Sequence, residues 1–238
     1  MQLPKYEQLA IFADFDGTLV DIAPTPDSII VNDDLKNLLV RTTKRTCGAC
    51  AVVTGRAMHD IQNYLGDCDL AIAASHGGQW RLPGQATQSI EHACNEFERY
   101  KKAITGFASD YNLLVETKQF AIAVHFRQHP EHEQHLDAFF ESLHIGPNYS
   151  VIRGKAVREL KPKQANKGAA IERFMAMAPF SGKTPLFVGD DVTDEDGFRY
   201  INSVGGISIK VGPGESRAQH RLSHPADVRN LFTQITEA

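Results

Sequence analysis

Apolar residues in this chain fall into short unbroken runs, and the stretches between the runs carry apolar positions at helical spacing. Leu9 to Ala13 and Ala49 to Val53 are of strand length and apolar throughout, as expected for strands covered on both faces of a sheet. The pattern predicts strands over 9–14, 49–53 and 69–74, a helix over 32–44 capped by Asn32, and a helix over 57–65 stopped by Gly66. That βαβαβ order belongs to a parallel sheet. The last third resumes it with helix 167–177, strand 184–189, helix 194–203, strand 206–210 and a terminal helix near 225–236.

The middle breaks this rhythm. It reads as helix 92–110, strands 113–118 and 120–127, helix 131–143, and strands 149–153 and 155–160. Two αββ units predict a small, partly antiparallel sheet with helices on one face. The expected fold class is therefore α/β: a Rossmann-like parallel-sheet core from 1–83 and 159–238, with a smaller α+β domain inserted at 84–158.

Two aspartates sit where the first strand should stop. Asp14-Phe15-Asp16-Gly17-Thr18-Leu19 delivers carboxylates to the carboxyl edge of the sheet, where open α/β folds place their ligands, and Gly17 lets the backbone turn away. Asp14 is placed to attack and Asp16 to handle a proton. Taken alone, the string also fits a strand followed by an Asx turn. Three more elements follow in order: Thr54-Gly55-Arg56 after the second apolar run, Asn166-Lys167-Gly168 opening a helix, and Gly189-Asp190-Asp191-Val192-Thr193-Asp194 closing a strand.

Composition narrows the classes. With 238 residues, 42% of them hydrophobic, the chain can bury roughly 70% of its unfolded surface, so disulfides are not needed for stability. A net charge of -4 without runs of like charge argues against nucleic acid or an anionic membrane as partner. No run reaches the roughly 20 apolar residues of a membrane span, and no basic-then-apolar leader opens the chain, so the cytoplasm is the expected compartment. Cys47 and Cys50 have redox-motif spacing but no second pair to complete a zinc site, and Cys68 and Cys94 read as ordinary small residues. His132 and His135 fall on one face of a Glu-rich helix with no acidic strand opposite. Together with His125 and His129 they read as solvated surface rather than a metal site.

Taken together, the four elements resemble the motifs of the haloacid dehalogenase superfamily phosphatases. The resemblance implies a metal-assisted aspartyl-phosphate mechanism, since a phosphate dianion repels a carboxylate unless cations lie between. It implies Mg²⁺ held by Asp14, the Asp16 carbonyl and Asp190, with Asp194 behind them and Asp191 assisting. Thr54 and Lys167 would meet the phosphate oxygens, and Asp16 would serve as general acid and then base. The acid/base aspartate is absent from dehalogenases and P-type ATPases of that superfamily. The 84–158 insertion resembles a C2-type cap, which would close over the core, exclude water and read the substrate.

Within the insertion, Glu116 and Lys118 alternate on one strand, His125 and Arg127 on the next, and Arg153, Lys155 and Glu159 line a third segment. The set suits a polyhydroxylated sugar, or else a solvated sheet face with salt bridges. Val115-Glu116-Thr117-Lys118, His125-Phe126-Arg127, Gly154 to Glu159, Gly189 to Phe198 and His76-Gly77 are similar to strings of the trehalose-6-phosphate phosphatase family. That resemblance implies a small-molecule sugar phosphate as substrate and Glu116, Lys118 and Glu159 on the disaccharide, with His125, Arg127, Arg153 and Lys155 as further contacts. It also implies a separate trehalose-6-phosphate synthase supplying the substrate. His76 reads equally as a turn-stabilising imidazole or a ligand. Thr54 stands where that family commonly has Ser, and His220 where an aromatic is expected, with altered packing under the active-site loops as the expected result. A phosphomutase, a non-catalytic sensor, and phosphatases of sucrose or glucosylglycerate type are the competing readings.

Overall fold

A computed structural model describes residues 3–23, 28–66, 68–90, 94–154 and 156–237, with the Cys94 side chain outside the description. Lys155 and residues 92–93 of the expected helix lie outside it as well. In chain order the strands are β1 (Leu9–Ala13), β2 (Cys50–Val53), β3 (Ala71–Ala74), β4 (Gln79–Arg81), β5 (Gln88–Ser89), β6 (Leu114–Thr117), β7 (Ile122–His125), β8 (Tyr149–Gly154), β9 (Val157–Pro162), β10 (Thr184–Gly189), β11 (Ile207–Val211) and β12 (His220–Leu222). The helices are α1 (Asp33–Arg45), α2 (Met58–Leu65), α3 (Cys94–Asp110), α4 (Glu133–Ser142), α5 (Lys167–Met175), α6 (Glu195–Ser203) and α7 (Pro225–Glu237). The chain divides into two compact units, Met1–Ser89 with Asn166–Ala238, and Ile90–Ala165.

In the first unit the strand order is β12-β11-β10-β1-β2-β3-β4-β5. All strands from β12 to β3 run parallel, whereas β4 and β5 are antiparallel additions at the edge. The chain winds outward from β1 through β2 and β3, then returns at β10 on the other side, so the switch point lies between β1 and β10. Strand alternation divides β1 between two cores. Leu9, Ile11 and Ala13 pack with α1, α2 and α7, and Ala10 and Phe12 pack with α5 and α6. Phe12 stacks on Phe180 and Phe174 at 5.3 and 6.3 Å. By the same alternation residue 14 faces the α5 side.

The first unit runs to residue 89 rather than 83 because β4 and β5 continue its sheet. The sequence pattern misses both strands, and also β12, since all are short and none is fully buried. His220 is exposed on the outer strand β12, so it does not pack under the loops that follow β1 and β10.

In the second unit the sheet order is β6-β7-β9-β8 and every pairing is antiparallel, not partly so. It extends to residue 165 because β9 runs through Pro162. Ile122, Val124 and Leu160 meet Phe97, Tyr100 and Ile104 of α3 and Leu136 and Phe140 of α4 in one core. Arg158 lies on this covered face, opposite Val124 in register. It donates to both Asp137 oxygens at 2.7 and 2.9 Å, to Glu133 at 2.7 Å and to two backbone carbonyls, and its guanidinium lies 4.9 Å from the Phe126 ring. Those partners hold it more firmly protonated than usual and Asp137 below the ordinary carboxylate range. Arg158→Ala breaks this clamp. Because Asp137 and Glu133 remain partly open to water, the expected cost is about 2 kcal/mol, less than for a sealed pair. Thermal denaturation should show the melting point lowered by several degrees, with Arg158→Lys recovering only part; an unchanged melting curve for the alanine variant would exclude a stabilising role.

Candidate active site

Asp14 is the first residue beyond β1, Thr54 the first beyond β2 and Asp190 the first beyond β10, so three adjacent strands end together. The Asp14 N–H donates to Val188 O at 2.9 Å, which anchors it against β10. Lys167 opens α5, whose first turn is capped by the Asn166 side chain accepting from Ala169 N at 2.8 Å. From there its Nζ donates to Asp14 Oδ1 and to Asp194 Oδ1, both at 2.6 Å. All three groups are buried.

Asp194 also organises the turn after β10. Its Oδ2 accepts from the backbone N–H groups of Asp190 and Asp191, each at 2.9 Å. Asp191 is exposed, meets the cluster through its backbone N–H, and caps the short turn Val192–Asp194. Thr18 Oγ1 donates to Asp190 Oδ1 at 3.3 Å, and Lys210 donates to the Asp190 carbonyl. Gly17, at φ 75°, is required here because a Cβ would run into the Asp190 carboxylate.

Ligand oxygens of Asp14, Asp190 and Asp194 lie within 4.8 Å of one another. Burial, together with the neighbouring Asp194 and Asp190, pushes the Asp14 carboxyl well up, against the opposing pull of Lys167. Asp190 is raised by burial and by Asp194. Lys167 loses by burial but gains more from Asp14 and Asp194, and is held above its ordinary value. Three carboxylates facing one ammonium leave a deficit of positive charge, and an all-oxygen donor set of this kind fits a hard divalent cation.

Asp16 takes a separate position. Both of its oxygens accept from Arg56, Nε and Nη2 each at 2.7 Å, and that guanidinium lies 5.0 Å from the Tyr64 ring and 5.9 Å from the Phe15 ring. Thr54 Oγ1 accepts from Arg56 N at 3.1 Å, leaving its own O–H to donate. His76, at φ 56°, packs its ring over Gly55 so closely that a Cβ there would collide with it, and its backbone N–H donates to Thr54 O at 2.9 Å.

In the second unit the structure gathers part of the expected set. On the open face of the sheet, Lys118 Nζ stands 3.1 Å from Glu159 and 3.7 Å from Glu116, and His125 Nε2 lies 3.1 Å from the other Glu116 oxygen. Arg127 is exposed in the turn after β7. Arg153 does not join them. It pairs in register with Arg158 on the covered face and meets Asp137 and Glu141 of α4, both at 3.3 Å.

The trehalose-phosphatase family profile matches residues 12–229. The chain belongs to the trehalose-phosphatase family. It is 38% identical over 208 residues to a probable trehalose-phosphate phosphatase of Sinorhizobium fredii, spanning 86% of this chain and 78% of that protein. To the trehalose-6-phosphate phosphatase of Escherichia coli it is 37% identical over 232 residues, spanning 96% of this chain and 87% of that one. The fold matches that of trehalose-6-phosphate phosphatase from Aspergillus fumigatus with a TM-score of 0.78 at 23% identity, over 98% of this chain and 94% of that one.

Sequence reasoning about this trehalose-phosphatase family member gave no role to Arg56, Lys210 or Thr18. Arg56 adjoins Thr54 in the second motif, which was the one available signal. Nothing local marks Lys210, a buried lysine in a strand whose other residues are apolar except Ser208. Asp194 touches Lys167 and two backbone N–H groups at once, so its removal should disturb the whole carboxylate cluster. Asp194→Asn is expected to weaken divalent-cation binding by about 10–100-fold, the usual effect of losing a group that orients metal ligands. Titration with Mn²⁺ followed by its electron paramagnetic signal measures this, and an isotherm equal to the parent's would show that the turn holds without that charge.

Proposed function

We propose that this chain hydrolyses trehalose 6-phosphate to trehalose and phosphate, with Asp14 as the nucleophile. The observation that carries the reading is the buried Asp14–Lys167–Asp194 pairing at the carboxyl edge of the sheet in a member of the trehalose-phosphatase family. An Asp14 oxygen bonds to phosphorus while the bond from phosphorus to the sugar oxygen breaks, and Asp16 gives that oxygen its proton. Asp16, now a carboxylate, takes a proton from water as the water oxygen attacks phosphorus and Asp14 departs. Arg56 now holds both Asp16 oxygens, so this pair opens when Asp16 carries the proton for the first step and can re-form once Asp16 is a carboxylate. Lys167 balances charge on Asp14 and on the phosphoryl oxygens, to which Thr54 donates its O–H.

Asp14, the Asp16 carbonyl and Asp190 would hold Mg²⁺, with Asp194 and Asp191 behind them. When bound, the ion draws charge from the phosphoryl oxygens as a Lewis acid. The second unit reads the sugar: Glu116, Lys118, Glu159 and His125 already share one sheet face, and Arg127, exposed in the turn after β7, and Lys155 belong to the same proposal. Hydroxyls of a disaccharide exchange for the ion-pair partners these groups now hold. A separate synthase supplies the phosphorylated disaccharide. No helix among the described residues is long and apolar enough to cross a membrane. A cytoplasmic setting is supported by the free thiols of Cys47 and Cys50, the buried Cys50 being pushed up to about 12 by its burial.

Phosphate release with Mg²⁺ from trehalose 6-phosphate, sucrose 6-phosphate, glucose 6-phosphate and mannose 6-phosphate tests the reading. Strong preference for the first is expected, with Asp14→Asn folded but inactive and chelation reversibly abolishing release. Preference for another sugar phosphate would reassign the substrate and keep the mechanism; no release from any would overturn both. Glu116→Ala is expected to raise KM for trehalose 6-phosphate about tenfold, roughly one charged hydrogen bond, and to spare a small aryl phosphate. Equal losses on both substrates would take Glu116 out of sugar recognition.

A further inference from the structure

The turn after β7 collects ligand-type side chains that phosphoryl transfer leaves unused. His129, Glu131 and His132 offer two ring nitrogens and a carboxylate oxygen within 4.8 Å of one another. One oxygen, Glu131 Oε1, stands 3.3 Å from His129 Nδ1 and 3.9 Å from His132 Nε2. The backbone makes this arrangement. Pro130 starts a single 3-10 turn, Pro130–His132, that leads straight into α4. At three residues per turn, side chains three apart eclipse one another. The His129 and His132 rings accordingly lie 5.9 Å apart, and His135 follows one turn on, 6.1 Å from His132.

Tyr111 walls the group, edge-on to His132 at 5.0 Å and stacked on His135 at 5.9 Å. His132 is only a quarter exposed, and its Nδ1 is buried with no hydrogen-bond partner among the described residues. Buried ring nitrogens normally have a partner. Its own backbone N–H and the His129 ring hold Glu131 below the ordinary carboxylate range, in the ionised form.

We propose that His129, Glu131 and His132 form a binding site for a borderline transition-metal ion, zinc in the first place. Two imidazoles and a carboxylate are the protein ligands of a tetrahedral zinc site whose fourth position is left to water. Imidazole nitrogen selects against Mg²⁺ and Ca²⁺, which favour oxygen, so this donor set differs in kind from the all-oxygen cluster around Asp14. Zinc–nitrogen bonds of about 2.0–2.1 Å place ligand atoms about 3.4 Å apart, so the three groups must draw in. His129 and Glu131 are exposed enough, 34% and 61%, to do so by rotamer changes alone. A bound ion would pin the turn that leaves β7, and Arg127 within it, to the start of α4. The notion of a merely solvated histidine face missed Glu131, which lies between the imidazoles in space.

The test is calorimetric titration of the intact chain with Zn²⁺ in excess Mg²⁺, which occupies oxygen-rich sites, together with Co²⁺ as a visible probe. One zinc site and the strong visible band of tetrahedral Co²⁺ are expected. His129→Ala with His132→Ala, checked for unchanged circular dichroism, is expected to lower zinc affinity by at least about tenfold and remove the band, whereas Asp190→Asn leaves both as they were. The assignment is overturned by zinc binding that survives the histidine substitutions, by binding lost with Asp190→Asn, or by no zinc binding to the parent chain.

Discussion

Lys167 is carried into the interior of the first unit, where an unpaired ammonium would cost several kcal/mol, and it is tolerated because Asp14 and Asp194 go in with it at 2.6 Å each. The placement of everything around it follows from that constraint. Asp14 must face α5, which strand alternation in β1 provides. Asp194 must reach the same point from beyond β10, which requires the chain after Gly189 to turn back at once; the two backbone N–H groups that bond Asp194 Oδ2 make that turn. Removing Lys167 would leave two buried carboxylates without compensation, whereas removing either carboxylate leaves the other still paired with Lys167, so the ammonium is the group the cluster cannot lose.

The same cluster is not electrically complete. Asp190 brings a third carboxylate near the Lys167 ammonium, and burial first, with the neighbouring carboxylates behind it, pushes both Asp14 and Asp190 up. A site built only for stability would pair its charges one to one or replace them with apolar groups of similar volume. An excess of buried carboxylate, held within 4.8 Å and maintained by a glycine that makes room for it, is a site shaped around a cation. The cluster thus stores a negative potential that becomes useful only when positive charge is added.

The sheet core and the Asp14, Thr54, Lys167 and Asp190 cluster were legible in the sequence because each is announced locally: an apolar run that stops at a polar residue, or a cap residue that starts a helix. Contacts set by register were not legible. Arg56 and Asp16 are 40 residues apart, and only the parallel neighbours β1 and β2 bring them together. Arg153 illustrates the same limit. Alternation assigns side chains to faces within one strand, but Arg153 and Glu159 belong to different strands, and the pairing of Arg153 with Arg158 puts it on the covered face. Short edge strands such as β4, β5 and β12 lack the apolar run that would announce them.

The second unit shows what a period of two can do once register is fixed. One face of its sheet is sealed by α3 and α4, and there the charges of Arg158, Asp137 and Glu133 satisfy one another. The other face carries Glu116, His125 and Glu159 interleaved with the exposed apolar residues Leu114 and Ile152, 69% and 39% accessible. Beside them Lys118 links Glu159 to Glu116, and Glu116 reaches His125, in an open chain of ion pairs. A sugar ring has hydroxyls at its rim and C–H groups on its faces, so it can take up both kinds of surface at once. Ion pairs that are this exposed are worth little individually, and exchanging them for hydroxyl contacts therefore costs little. The open face is thus held in a weakly bonded state, whereas the covered face is bonded firmly through Arg158.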